Sequence, residues 1–198
     1  MRHFTFLYWW VVVSFSWAIG NDQVFRLSSS NIDGDIYRVR DLYDHEEAAN
    51  MLAKTRKTIN LLISKLQQSY PSDKRVVKVS ERYTGYFQEA ETNQGKTSFT
   101  VNKGQQIHMC LRSPHTNKFE AENTIRYIAI HELAHVMSDS SDHTPEFWDN
   151  FRFLLSHAVK WKLYTSVDYR RHPTTYCGTR LTDAPLRLNR DRRTKSYL

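Results

Sequence analysis

Cysteine is scarce in this chain: its 198 residues hold two, Cys110 and Cys177. Two thiols allow one disulfide at most and cannot build a cysteine-rich zinc cage, which excludes zinc fingers of that kind. Whether they pair depends on the redox compartment. No Asn-x-Ser/Thr triplet occurs, so glycosylation gives no indication of topology. Internal repeats and low-complexity segments are also absent, which removes solenoids and propellers.

What is present suffices for one folded domain with a single core. Hydrophobic residues make up 40% and aromatics 13% of the chain, a composition that folds. The net charge of +7 favours acidic partners, nucleic acid or an anionic membrane surface, without indicating a fold. Part of it is local, in the basic tail 187–198, "RLNRDRRTKSYL", which reads as a solvated end. At the other end, residues 1–20, "MRHFTFLYWWVVVSFSWAIG", are uncharged from Phe4 to Gly20 behind Arg2. As a helix that run spans about 25 Å, the short end of a bilayer core. It can be a signal peptide cut after Gly20 or a retained transmembrane signal anchor. Bulky Trp17 and Ile19 beside the cut favour the anchor. A membrane-anchored or secretory-pathway protein is therefore expected, its orientation open, with residues 21–43 as a linker to a domain at 44–186.

Within that domain, Asp44 to Ser69 carries apolar residues at helical spacing (Met51, Leu52, Ile59, Leu62, Ile63, Leu66) and acids in the first turn. "RVVKVSERY" has β-branched composition and predicts a strand over Arg75 to Ser80. "FTVNKGQQIHMCLR" predicts a hairpin turning at Asn102-Lys103-Gly104, with Ile107, Met109 and Leu111 on one face. A helix begins near Glu122 or Asn123. Another follows at "HTPEFWDNFRFLLSHAVKWKLY", with Thr144 as N-cap, Pro145 at the first helical position and Glu146 in the first turn. Small strands among segregated helices predict an α+β fold.

The first of those two helices carries "HELAHVMSDSSDHTPEFW". His131 and His135 are four apart, on one helix face and about 6 Å from each other, so both can ligate one ion. Glu132 sits about 100° further round, beside the ion, where a general base acting on an activated water belongs. Ile130, Leu133 and Met137 cluster on the opposite side, where a core would cover them. A catalytic zinc takes three protein ligands, and His143, just before the next helix cap, is the preferred third. Glu146, Asp139 and Asp142 are its rivals. Ser138 and Ser141 stand where a His-x-x-Gly-x-x-His extension would need glycine and histidine, so that class is excluded. The remaining histidines receive no metal role.

The stretch resembles the active-site region of the SprT-like and WLM zinc metallopeptidases, in which His-Glu-x-x-His is followed by a short loop and His-x-x-x-Phe; His143 and Phe147 match that second element. It is most similar to the WLM-type metallopeptidases of large eukaryotic DNA viruses, a resemblance supported by "NKGQQIHMCLR", "NTIRYIAIHELAH" and "YCG". The resemblance covers roughly Asp44 to Pro185. It implies a compact zincin-like domain, one Zn2+ held by His131, His135 and His143, Glu132 as catalytic base, and a protein or peptide substrate. Tyr164, Tyr169, His172 and Tyr176 are candidates for a second oxyanion donor, and the strand around Ile107 to Leu111 for pairing with substrate. Two other functions stay open: a non-catalytic metal-binding module displayed on a membrane, and a DNA-associated protease.

Overall fold

A computed structural model describes residues 23–91 and 97–186. The expected N-terminal anchor and the basic tail lie outside those residues.

Two antiparallel strands open the described chain, β1 (Phe25–Ser29) and β2 (Ile36–Arg40), in register from Phe25 opposite Arg40 to Ser29 opposite Ile36. The stretch expected to be a linker is thus a hairpin. Its inward side chains Tyr37 and Val39 are buried in the core, a short alternation that the polar "SSSNIDGD" beside it obscured. Helix α1 (His45–Ser69) follows as predicted and buries Ala48, Leu52, Ile59, Leu62, Ile63 and Leu66.

The predicted strand at Arg75 to Ser80 is instead helix α2 (Lys74–Arg82). The Asp73 carboxylate caps it by accepting the Arg75 N–H at 2.9 Å, and only Val76 and Val79, three apart, are buried. A capping aspartate outweighed the β-branched composition.

The central sheet has three strands in the order β3 (Phe87–Glu89), β5 (Gln106–Met109), β4 (Phe99–Val101). β3 runs parallel to β5, and β4 antiparallel. The predicted β4–β5 hairpin forms, turning through Asn102 and Lys103 at positive φ. At Gly104, with φ 107°, an added Cβ would stand 2.6 Å from Val136 Cγ1, so only glycine lets this turn lie against the next helix. Since β5 is central, the substrate-pairing role expected of Ile107 to Leu111 does not fit. The edge strands are β3 and β4.

Helices α3 (Glu122–Met137) and α4 (Pro145–Lys160) complete the core, and a final hairpin, β6 (Thr174–Tyr176) and β7 (Thr179–Leu181), lies beyond them. A disulfide between Cys110 and Cys177 ties that hairpin to the end of β5. Arg112, 1% exposed, bonds Glu89, also 1% exposed, at 3.1 Å and Asp44 at 2.6 Å, pinning the start of α1 to the sheet. Among the described residues the architecture is α+β, with four helices and small sheets.

The expectation of a membrane-anchored or secretory protein is corrected on one point of fact. Among the described residues no helix is long and apolar enough to cross a membrane.

Candidate metal centre

Helix α3 is committed on both sides. Ile130, Leu133 and Met137 are fully buried, while His131 and His135 project together from the opposite face with ring centroids 5.0 Å apart. Beyond Met137 the chain must reverse, and several bonds make it do so. Ser138 Oγ donates to the Ala134 carbonyl at 2.7 Å and accepts from Asn150 Nδ2 at 2.9 Å. Arg82 donates to the Val136 and Ser138 carbonyls at 3.2 and 3.0 Å, closing the end of α3. Thr144 caps α4 by accepting the Phe147 N–H, as its sequence predicts.

The reversal carries His143 back over α3. Its Nε2 lies 3.0 Å from that of His131, and its ring centroid is 4.9 Å from those of both His131 and His135. One nitrogen from each of the three imidazoles falls within 4.8 Å of the other two. Ligands at the usual Zn–N bond length stand about 3.3 Å apart in a tetrahedron. A hydrogen bond would explain two of these rings meeting, but not the convergence of the third. Phe147, wholly buried, packs behind all three, with centroids 4.8, 4.4 and 4.6 Å from His131, His135 and His143. Two of the rival ligands are engaged elsewhere, and Asp142 is not among the convergent groups. Glu146 accepts the Asp139 N–H at 3.2 Å, and Asp139 pairs with Lys78 and Arg82.

The donors also suit a cation electrostatically. Burial, then repulsion from His135 and His143, lowers the pKa of His131 to about 3. Burial and His143 lower that of His135 to about 4. Both rings are therefore neutral near pH 7 and offer lone pairs. Glu132, 5% exposed, borders the same cleft. Burial pushes its pKa up to about 8, against a backbone hydrogen bond from Thr100 that lowers it.

These shifts predict how the metal-free protein responds to pH. The depressed histidines contribute stability above about pH 6.5 that is lost as pH falls through 4 toward 3. Glu132, raised above its unfolded 4.5, contributes below that value and loses its contribution as pH rises through 8. Between 4.5 and 6.5 the two trends oppose, so urea midpoints of chelator-treated protein should peak in or near that window. Glu132→Gln should flatten the decline on its alkaline side; an unaltered decline would place its cause elsewhere.

The histidines open on a cleft of about 760 Å³, with Thr100 of the edge strand on one side and Thr179 and Leu181 of the last hairpin on another. None of the four oxyanion candidates lines it. Tyr176 donates to the Cys110 carbonyl at 2.5 Å, Tyr164 accepts from the Val167 N–H, Tyr169 is buried against Tyr127, and His172 is exposed away from the cleft. Tyr127, Lys103 and Asp183 do line it and were not singled out from the sequence. Only Tyr127 carried a signal there, standing four residues before His131.

The WLM domain family model matches residues 33–196. The chain belongs to the WLM domain family. Among relatives, "Uncharacterized protein R325" of Acanthamoeba polyphaga mimivirus is 34% identical over 154 residues, covering 75% of this chain and 78% of that protein. "Uncharacterized protein 136R" of Invertebrate iridescent virus 6 is 35% identical over 78 residues, 38% of this chain and 43% of the relative. Among solved structures, Wss1 from Saccharomyces cerevisiae aligns with a TM-score of 0.47 at 18% identity, covering 68% of this chain and 90% of that one. The WLM match begins within the β1–β2 turn and takes in β2, all of α1 to α4 and the last hairpin.

Proposed function

We propose that this WLM domain is a zinc-dependent peptidase. The observation that carries the reading is the meeting of three imidazoles, from α3 and the loop after it, beside a buried carboxyl group in an open cleft. His131, His135 and His143 would hold the ion. Bound there, zinc supplies Lewis acidity, polarising a carbonyl oxygen and acidifying water. The chain's own residues do the rest. Glu132 accepts a proton from the attacking water on a carboxylate oxygen and returns it to the departing amine; a neighbouring cation favours its ionised form. Thr100 keeps that carboxylate in place through its backbone bond. β4, the edge of its sheet that lines the cleft, presents backbone groups on which an extended peptide can add as a further strand. Phe147 excludes water from behind the imidazoles.

The test is zinc stoichiometry and affinity. The purified chain should bind one zinc, and His143→Ala should weaken binding by more than about 100-fold, beyond the 10- to 100-fold typical of outer partners. Protein that takes up no zinc would end the metallopeptidase reading. Loss of zinc in Glu146→Gln rather than in His143→Ala would transfer the third position to Glu146.

A further inference from the structure

We infer that the cleft contains a subsite for a basic substrate side chain, built from Tyr127, Ile128, Leu181 and Asp183, one helical turn from the histidine cluster. The inference rests on the peptidase reading and adds to it the substrate class.

Tyr127 precedes His131 by four residues and shares its face of α3. It borders the cleft, yet it is 3% exposed and its hydroxyl has no hydrogen-bond partner among the described residues. A buried hydroxyl left unpaired is unfavourable, so a ligand that supplies its partner gains by doing so. Asp183, close enough to act electrostatically on that hydroxyl, is exposed at the cleft. It forms no ion pair with a described residue. It also borders a neighbouring pocket with Arg152 and Arg170, but Arg152 is engaged by Asp149. Ile128 and Leu181 supply apolar wall between these polar groups.

The lysine that lines the cleft lies far from this end. Lys103 Nζ donates to the Ser138 carbonyl at 3.3 Å, eleven residues further along the chain than Tyr127 and thus roughly 16 Å down the helix. One end of the cleft is therefore acidic and the other basic. At the acidic end a lysine or arginine side chain fits by its chemistry. Its methylenes lie on Ile128 and Leu181, and its N–H groups donate to the Asp183 carboxylate and the Tyr127 oxygen. A glutamate would meet Asp183 as a like charge, and an aliphatic side chain would leave the Tyr127 hydroxyl unpaired.

The test uses the full chain carrying Glu132→Gln, so that bound peptide survives, and fluorescence anisotropy with alanine-rich peptides containing a single lysine, norleucine or glutamate. The lysine peptide should bind about 10-fold tighter than the norleucine peptide, the scale of one charge-assisted hydrogen bond. Asp183→Asn should remove that preference, Asp183→Lys should turn it toward glutamate, and Tyr127→Phe should reduce it. Equal binding of lysine and norleucine peptides overturns the subsite, as does an Asp183→Asn variant that weakens both alike. The two readings fail separately. A lysine preference in binding with no cleavage of any peptide by the parent protein retains the subsite and removes the peptidase. Cleavage indifferent to lysine does the reverse.

Discussion

Glu132→Gln is expected to leave one zinc bound per chain and to slow peptide hydrolysis by about 10²- to 10⁴-fold, the range of a general base. The amide matches the carboxyl in shape, and the three convergent groups are imidazoles, so the proposed ligand set is untouched. What is lost is a basic oxygen. The substitution also separates the enzyme from a metal-binding module without activity: in the latter, parent and variant would be equally inert. Zinc content and kcat/KM on a protein substrate read both halves of the prediction. Equal cleavage by parent and variant would remove Glu132 from the mechanism.

The second large effect concerns Cys110 and Cys177. Their disulfide closes a loop with a sequence separation of 67, for which the chain-entropy relation gives about 4 kcal/mol. In a domain of this size that corresponds to a Tm lower by roughly 8–16 °C in the double alanine variant, or in the parent under reductant. The consequence should extend to the cleft. Cys177 lies in the turn between β6 and β7, and the same hairpin supplies Thr179 and Leu181 to the cleft wall. KM should therefore rise on reduction while zinc remains bound. A Tm unchanged by reductant would mean that Tyr176 and Glu120, which bond the same hairpin to its surroundings, hold it without the covalent link.

Much of the candidate site was legible in the residues because its signals are local. Two histidines four apart, an apolar back face, and the Thr144-Pro145 start of α4 each reflect one turn of helix, and their joint geometry follows from helical arithmetic. His143 could be preferred but not decided, since its position depends on how the chain reverses. That reversal relies on Arg82 and Asn150, which come from two other helices. The errors have the same origin. The β1–β2 hairpin is held by packing on α1, and α2 by a cap that a composition reading does not weigh. Which strands lie at the edges is a property of sheet order, so β5, the more apolar strand, was given a pairing role that its central place does not allow. The Arg112–Glu89 pair joins residues 23 apart and leaves no local trace. Cys110 and Cys177 were recognisable as a possible pair, but spacing alone carries no pairing information.

Phe147 gives the centre a direction. With a buried phenyl ring packed against all three imidazoles, an ion or chelator would reach them from the cleft side, the side proposed for substrate. A peptide lodged in the cleft should then protect the ion from extraction, so the rate of zinc loss to a chelator becomes a gauge of occupancy even for ligands that are never cut.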